Sequence, residues 1–192
     1  FFFHQAAEIG LNPSQFLTFI IRTSLYRRLV QSKGNPRFAT LLEDLDKNIL
    51  DEKNALSEKI RVAVVLGGYS SERHISVESG RNVFEKLASS EKYAPFPVFL
   101  TGSNSEHRLY QIPINLLLKD NADDIREKAE HFSVHGVIKK IKEQCAAITK
   151  KYAAAHLVQE PVLISYEQLA EKADEVFIAL HGRPGEDGAI QE

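Results

Sequence analysis

The chain has 192 residues, 43% of them hydrophobic and 26% charged, enough apolar mass for one ordinary domain plus additional elements. Its 24 basic and 26 acidic residues nearly cancel, and no dense basic face marks nucleic acid as a partner. No apolar run reaches the ~20 residues that cross a bilayer, and a single cysteine, Cys145, excludes an internal disulfide and fits a reducing, cytoplasmic compartment.

The opening "FFF" has no basic segment before it and no small-residue cleavage site after it, so it does not read as a signal peptide. Methionine is absent throughout, which points to a fragment of a longer protein. "FHQAAEIGL" is a short helical piece closed by Gly10. From Phe16 to Leu29 the apolar residues recur at helical spacing, with Asn12 as a cap and Pro13 in the first turn. "QSKGNP" breaks that pattern. Residues 38–58 carry a thin apolar stripe (Leu42, Leu45, Ile49, Leu56) among charges, as expected of a solvated connecting helix, or of a linker ordered by packing.

At Arg61 the pattern changes. "RVAVVL" is a continuous β-branched run bounded by two glycines, the pattern of a strand buried on both faces. "SVESGRNVFEKLASS" reads as the helix that follows, "APFPVFL" as a second strand and "VFIAL", residues 176–180, as a third. Strand, helix, strand is a βαβ unit. Residues 60–192 are therefore expected to form an α/β domain with an open, mostly parallel sheet and flanking helices, which binds its ligand beyond the carboxyl ends of the strands. Between the strands lies an insertion at about 102–174. Its residues 122–153 read as helix, with Ile141, Cys145, Ile148 and Tyr152 in phase and a break at "SVHG". His131 and His135 have the spacing of a metal pair but lack a third ligand, and packing or solvation accounts for them better. Cys145 reads as a small core residue.

Two glycine-rich loops fall at the expected binding edge. The first, "GGYSSERHISVESG", runs from Gly67 to Gly80. It matches neither the G-x-G-x-x-G dinucleotide fingerprint nor a P-loop, because no Gly-Lys-Ser/Thr closes the turn. Its Glu72 stands near a helix start. There it either caps the helix, worth ~0.3–1 kcal/mol, or faces the cleft and receives a cation such as an ammonium group. The second loop, "HGRPGEDGAIQE", places His181 directly after a strand at the same edge. Gly182, Gly185 and Gly188 punctuate it, and Glu186 and Asp187 suit the first turn of a helix.

Together "VAVVLGGYSSERHISVESG" and "VFIALHGRPGEDGAIQ" resemble the amino-terminal domain of D-alanine–D-alanine ligases, members of the ATP-grasp superfamily. The resemblance implies a Rossmann-like, pre-ATP-grasp domain at 60–192. Two features depart from the family pattern: Glu192, where a small residue is usual, and the longer insertion. More loosely, "FFFHQAAEIGLNPSQFLTFIIRTSLYRR" is similar to the carboxyl-terminal tail of the same ligases. On that reading residues 1–31 end one ligase-like module, 32–59 form a linker, and 60–192 begin a second. An unrelated helical extension is the alternative.

What the resemblance implies for function is specific. Such ligases use ATP and Mg2+ to phosphorylate the carboxylate of one D-alanine. The amino group of a second D-alanine then displaces phosphate, giving a dipeptide for peptidoglycan synthesis in the cell wall. Glu72 would anchor the ammonium of the first D-alanine, with Ser76, Gly67 and Gly68 beside it, and His181 would lie against its carboxylate or acyl phosphate. Gly182, Gly185, Glu186, Asp187 and Gly188 would shape the second loop, and none of these residues would bind metal. The central and carboxyl-terminal domains of the ligase hold ATP and Mg2+ in the family. The chain alone is thus expected to be inactive, with neither ATP nor Mg2+ bound. Its partners would be D-alanine, the rest of the ligase chain and, through the exposed helices, a second copy. A non-catalytic ligase-like module and an ATP-grasp ligase for other amino acids are the competing readings.

Overall fold

The computed structural model describes residues 2–56, 58–154, 156–188 and 190; Glu192, the expected departure in the second loop, lies outside them. In chain order the elements are α1 (Phe2–Glu8), α2 (Pro13–Gln31), α3 (Pro36–Ala55), β1 (Ile60–Gly67), α4 (Arg73–Ala88), β2 (Tyr93–Ser103) and β3 (Glu106–Gln111). Then come α5 (Ile114–Lys119), α6 (Ala122–Glu130), α7 (Gly136–Gln144), α8 (Ala146–Tyr152), β4 (Val162–Ile164), α9 (Tyr166–Lys172) and β5 (Glu175–Ile178). They divide into two compact units, one of Phe1–Glu58 with Val137–Ala155, the other of Lys59–Gly136 with His156–Glu192. Among the described residues no helix is long and apolar enough to cross a membrane.

The first unit is helical. Asn12 caps α2 through a reciprocal box: its side chain accepts from the Gln15 N–H while Gln15 accepts from the Asn12 N–H. Its core is small, built on Ala6, Leu11, Ile49, Tyr152 and Ala153, with Phe16, Phe19, Leu45 and Ile148 packed against it. The charged stretch expected to connect two modules is the helix α3, with Ile49 buried. The latter half of the insertion, α7 and α8, belongs to this helical unit. The expected break at "SVHG" is present, and a second falls at Cys145, which is half-buried at the start of α8 rather than in a core. His131 follows the end of α6 and His135 precedes α7, so the two histidines do not share a helical face.

The second unit contains the expected open α/β sheet, in the order β4-β3-β2-β1-β5. Strand β1 pairs in parallel with β2 and with β5, while β3 and β4 add an antiparallel edge. The continuous apolar run is central because only a strand between two neighbours and two covered faces can bury every side chain. Val62 to Leu66 are all at most 5% exposed. Ala63 and Val65 point to one face, in a cluster with Val98, Leu100, Leu169 and Leu180. Strand alternation sends Val64 and Leu66 to the other face, against α4. Each such side chain contributes ~1.5–3 kcal/mol on burial. At the far end of β1, the Asp174 N–H donates to the Arg61 carbonyl, the Arg61 N–H donates to the Asp174 carboxylate, and the two side chains form an ion pair at 2.7 Å. The Arg61 guanidinium holds the Asp174 carboxyl down at about 2.

Candidate functional site

Strands β1 and β5 run in the same direction, with Val65 opposite Ile178, so their carboxyl ends share one rim. The Ala179 N–H still donates to the Val65 carbonyl, and Leu180 is buried beneath. The chain therefore reaches His181 on a fixed course. In an open α/β sheet this rim is where ligands bind.

The first loop is braced from within. The Gly67 N–H donates to the Ser76 hydroxyl at 2.8 Å, and the Gly68 N–H to the Leu100 carbonyl at 2.8 Å. Ser76 is completely buried, so any effect it has on a ligand in the cleft is exerted through the loop it supports. Ser70 then ties the two loops together. Its hydroxyl accepts from the Glu72 N–H at 3.1 Å and donates to the His181 carbonyl at 2.8 Å. The crossing is tight. A side chain at Gly182, whose φ is +67°, would place its Cβ 2.8 Å from Ser70 Oγ, so glycine alone leaves room for the bridge.

Glu72 occupies the position before the first turn of α4 but makes no side-chain capping hydrogen bond. The capping role, open on sequence alone, has no hydrogen bond behind it. Its carboxylate instead joins the His181 ring and the Glu186 carboxylate, with one ligand-type atom from each lying within 4.8 Å of the others. Among the described residues, the guanidiniums nearest to them in sequence are committed elsewhere. Arg73 pairs with Asp123 at 2.9 Å and donates to the Ser70 carbonyl, and Arg183 pairs with Asp187 at 3.2 Å. Two carboxylates left facing one another attract a cation from outside, and ammonium is the simplest. Among the described residues this is also the group whose donors lie close enough for a metal ion, although the sequence marked no metal ligands there.

The remaining predicted loop residues shape the turn. The Gly185 and Glu186 N–H groups both donate to the Gly182 carbonyl, folding the second loop back on itself. Asp187 holds Arg183 across that turn, and Gly188 has a φ of +84°. Sequence reading treated Glu186 as part of the loop only; the structure brings it to Glu72 and His181. It passed over Ser70 entirely, and also Ser79, whose hydroxyl lies 2.9 Å from His181 Nε2. One signal was available: Glu72, Ser76 and Ser79 are spaced i, i+4, i+7, a single helix face.

The D-ala D-ala ligase N-terminus family matches residues 61–192. The chain belongs to that family. D-alanine–D-alanine ligase A of Chromobacterium violaceum is 30% identical over 139 residues, covering 69% of this chain and 31% of that protein. The ligase A of Brucella suis is 33% identical over 135 residues, covering 70% and 31%, and that of Escherichia coli K12 is 29% identical over 137 residues, covering 70% and 32%. The chain spans about a third of the length of the curated relatives it matches. No solved structure matches it.

Proposed function

We propose that this α/β unit is the part of an ATP-dependent D-alanine–D-alanine ligase that receives the first D-alanine. The observation that carries the reading is the meeting of Glu72, Glu186 and His181 at one sheet rim, in a chain belonging to the D-ala D-ala ligase N-terminus family. The Glu72 carboxylate takes the substrate ammonium, with Glu186 adding negative charge beside it. The His181 ring meets the substrate carboxylate, the group activated as an acyl phosphate. Opposite charges at the two ends of so small a molecule fix which end faces the reaction. A charge-assisted hydrogen bond is worth ~1.5–3 kcal/mol, and correct orientation raises rate as well as affinity.

On this reading the unit does not house the nucleotide. The amides of Gly67 and Gly68, which a phosphate would need, are taken by Ser76 and Leu100. We therefore assign ATP and Mg2+ to other domains of the ligase and derive no step through them here. On the same reading the enzyme is cytoplasmic and serves peptidoglycan synthesis, and the chain alone does not ligate. The family match begins at residue 61. We accordingly read residues 1–31 as the tail of a preceding ligase-like module and 32–59 as its connection.

Kinetics of the complete enzyme test the assignment. Glu72→Gln is expected to lower kcat/KM for D-alanine by about tenfold or more, or ~1.4 kcal/mol. An unchanged value removes the anchoring role.

A further inference from the structure

We propose that Ser79 is the positioning residue for the His181 ring, holding the imidazole in the tautomer with its proton on Nδ1. The argument begins with packing. On α4, a side chain at Gly80 would put its Cβ 2.7 Å from Leu66 Cβ, so the helix backbone lies directly on β1 at this residue. That close approach fixes Ser79, the adjacent residue, relative to the sheet. Since β5 is the neighbour of β1, it also fixes Ser79 relative to the chain leaving β5. Ser79 Oγ stands 2.9 Å from His181 Nε2.

His181 is thus held at two places. Ser70 Oγ fixes its carbonyl at 2.8 Å, and Ser79 Oγ fixes its ring. The two serines come from opposite ends of one loop-and-helix segment, so moving either tilts the imidazole. With Nε2 engaged, Nδ1 is the ring nitrogen left for a ligand. A neutral imidazole carries one proton, and which nitrogen bears it is set by the partner of the other. A Ser79 hydroxyl that donates to Nε2 leaves the proton on Nδ1. There it serves as a donor to a carboxylate oxygen, the group the proposed substrate presents. Ser79 touches no reacting atom in this arrangement; it acts through His181. The inference rests on the D-alanine reading only for the identity of that carboxylate.

Ring 15N chemical shifts of His181, recorded on the 192-residue chain across an alkaline pH series until they no longer change, read the tautomer without substrate. The intact chain is expected to show Nδ1 protonated and Nε2 unprotonated. Ser79→Ala should redistribute the proton toward Nε2, the preferred site in a free histidine side chain. Ser79→Thr retains the hydroxyl and should preserve the original signature. Ser79→Val has nearly the shape of threonine without the donor and should behave like alanine, so the pair decides the matter even if the alanine variant folds poorly. Unchanged ring shifts in both the alanine and valine variants overturn the proposal, as does a threonine variant that loses the signature. In the complete enzyme, Ser79→Ala should lower kcat/KM for D-alanine roughly three- to tenfold, the scale of one neutral hydrogen bond. The loss should vanish in a His181→Ala background. Altered ring shifts with unchanged kinetics uphold Ser79 as the positioning residue and instead retire the substrate role of His181.

Discussion

Five consecutive residues of β1, Val62 to Leu66, are buried, whereas α2 buries none of its 19 residues and leaves Leu17, Ile20 and Ile21 each at least 45% exposed. The α/β unit is held by its interior. The helical unit has a small core, supplemented by the Asn12–Gln15 cap, the Thr149 hydroxyl on the Ile9 carbonyl, and Asp46 shared by Arg22 and Lys151. The contrast separates a scaffold stiff enough to aim two loops from a unit with a much smaller interior. The candidate site is carried by the first kind of structure. Its precision comes from the central strand, and its loops need only short hydrogen bonds to hold their course.

Core truncation probes this contrast with the largest effect. Leu66→Ala should cost about 2–5 kcal/mol in denaturant unfolding, whereas Leu17→Ala on the exposed face of α2 should stay within about 0.5 kcal/mol. Equal costs would erase the distinction. Next comes Gly182→Ala, which forces a Cβ against Ser70 Oγ and an L-residue into the left-handed region. It should destabilise the α/β unit by about 1–2 kcal/mol, and amide hydrogen exchange of the two loops should quicken with it.

Much of this organisation was legible in the residues themselves. The unbroken "RVAVVL" run specified a strand covered on both faces, and Asn12 followed by Pro13 marked the start of α2. The antiparallel edge was not legible. Strand β3, "EHRLYQ", is exposed at one end and buried at the other, and β4 is three residues long with two of them exposed. Neither shows the alternation that marks a half-buried strand. At the site, the two loops could be placed on one rim from strand order alone. Ser70, however, meets a carbonyl 111 residues away, and such a partner is set by tertiary packing rather than by any local pattern.

The pH dependence sharpens the comparison with smaller effects. In the helical unit, hydrogen bonds from Arg22 and Lys151 hold the Asp46 carboxyl down at about 2. Its contribution is complete above the ordinary carboxylate range and is lost as pH falls from about 4 toward 2. Asp46→Asn should flatten that part of the helical unit's acid transition, as followed by helix signal. In the α/β unit, burial pushes the His156 ring below its ordinary value, although its Nε2 meets the Pro95 carbonyl at 3.1 Å. The unfolded chain takes up that proton first. Stability there should be full above about 6.5 and decline as pH falls below it. His156→Gln should remove the decline, and an unchanged profile would show that the ring is not held neutral.

The central claim is that the Glu72 carboxylate receives the substrate ammonium, and a ligand differing only in that group tests it most directly. In the complete enzyme, kcat/KM for D-alanine and the inhibition constant of propionate, its counterpart without the amino group, are measured with and without Glu72→Gln. The account predicts a loss of about tenfold or more for D-alanine and little change for propionate. An equal loss for both ligands, or none for either, would contradict it.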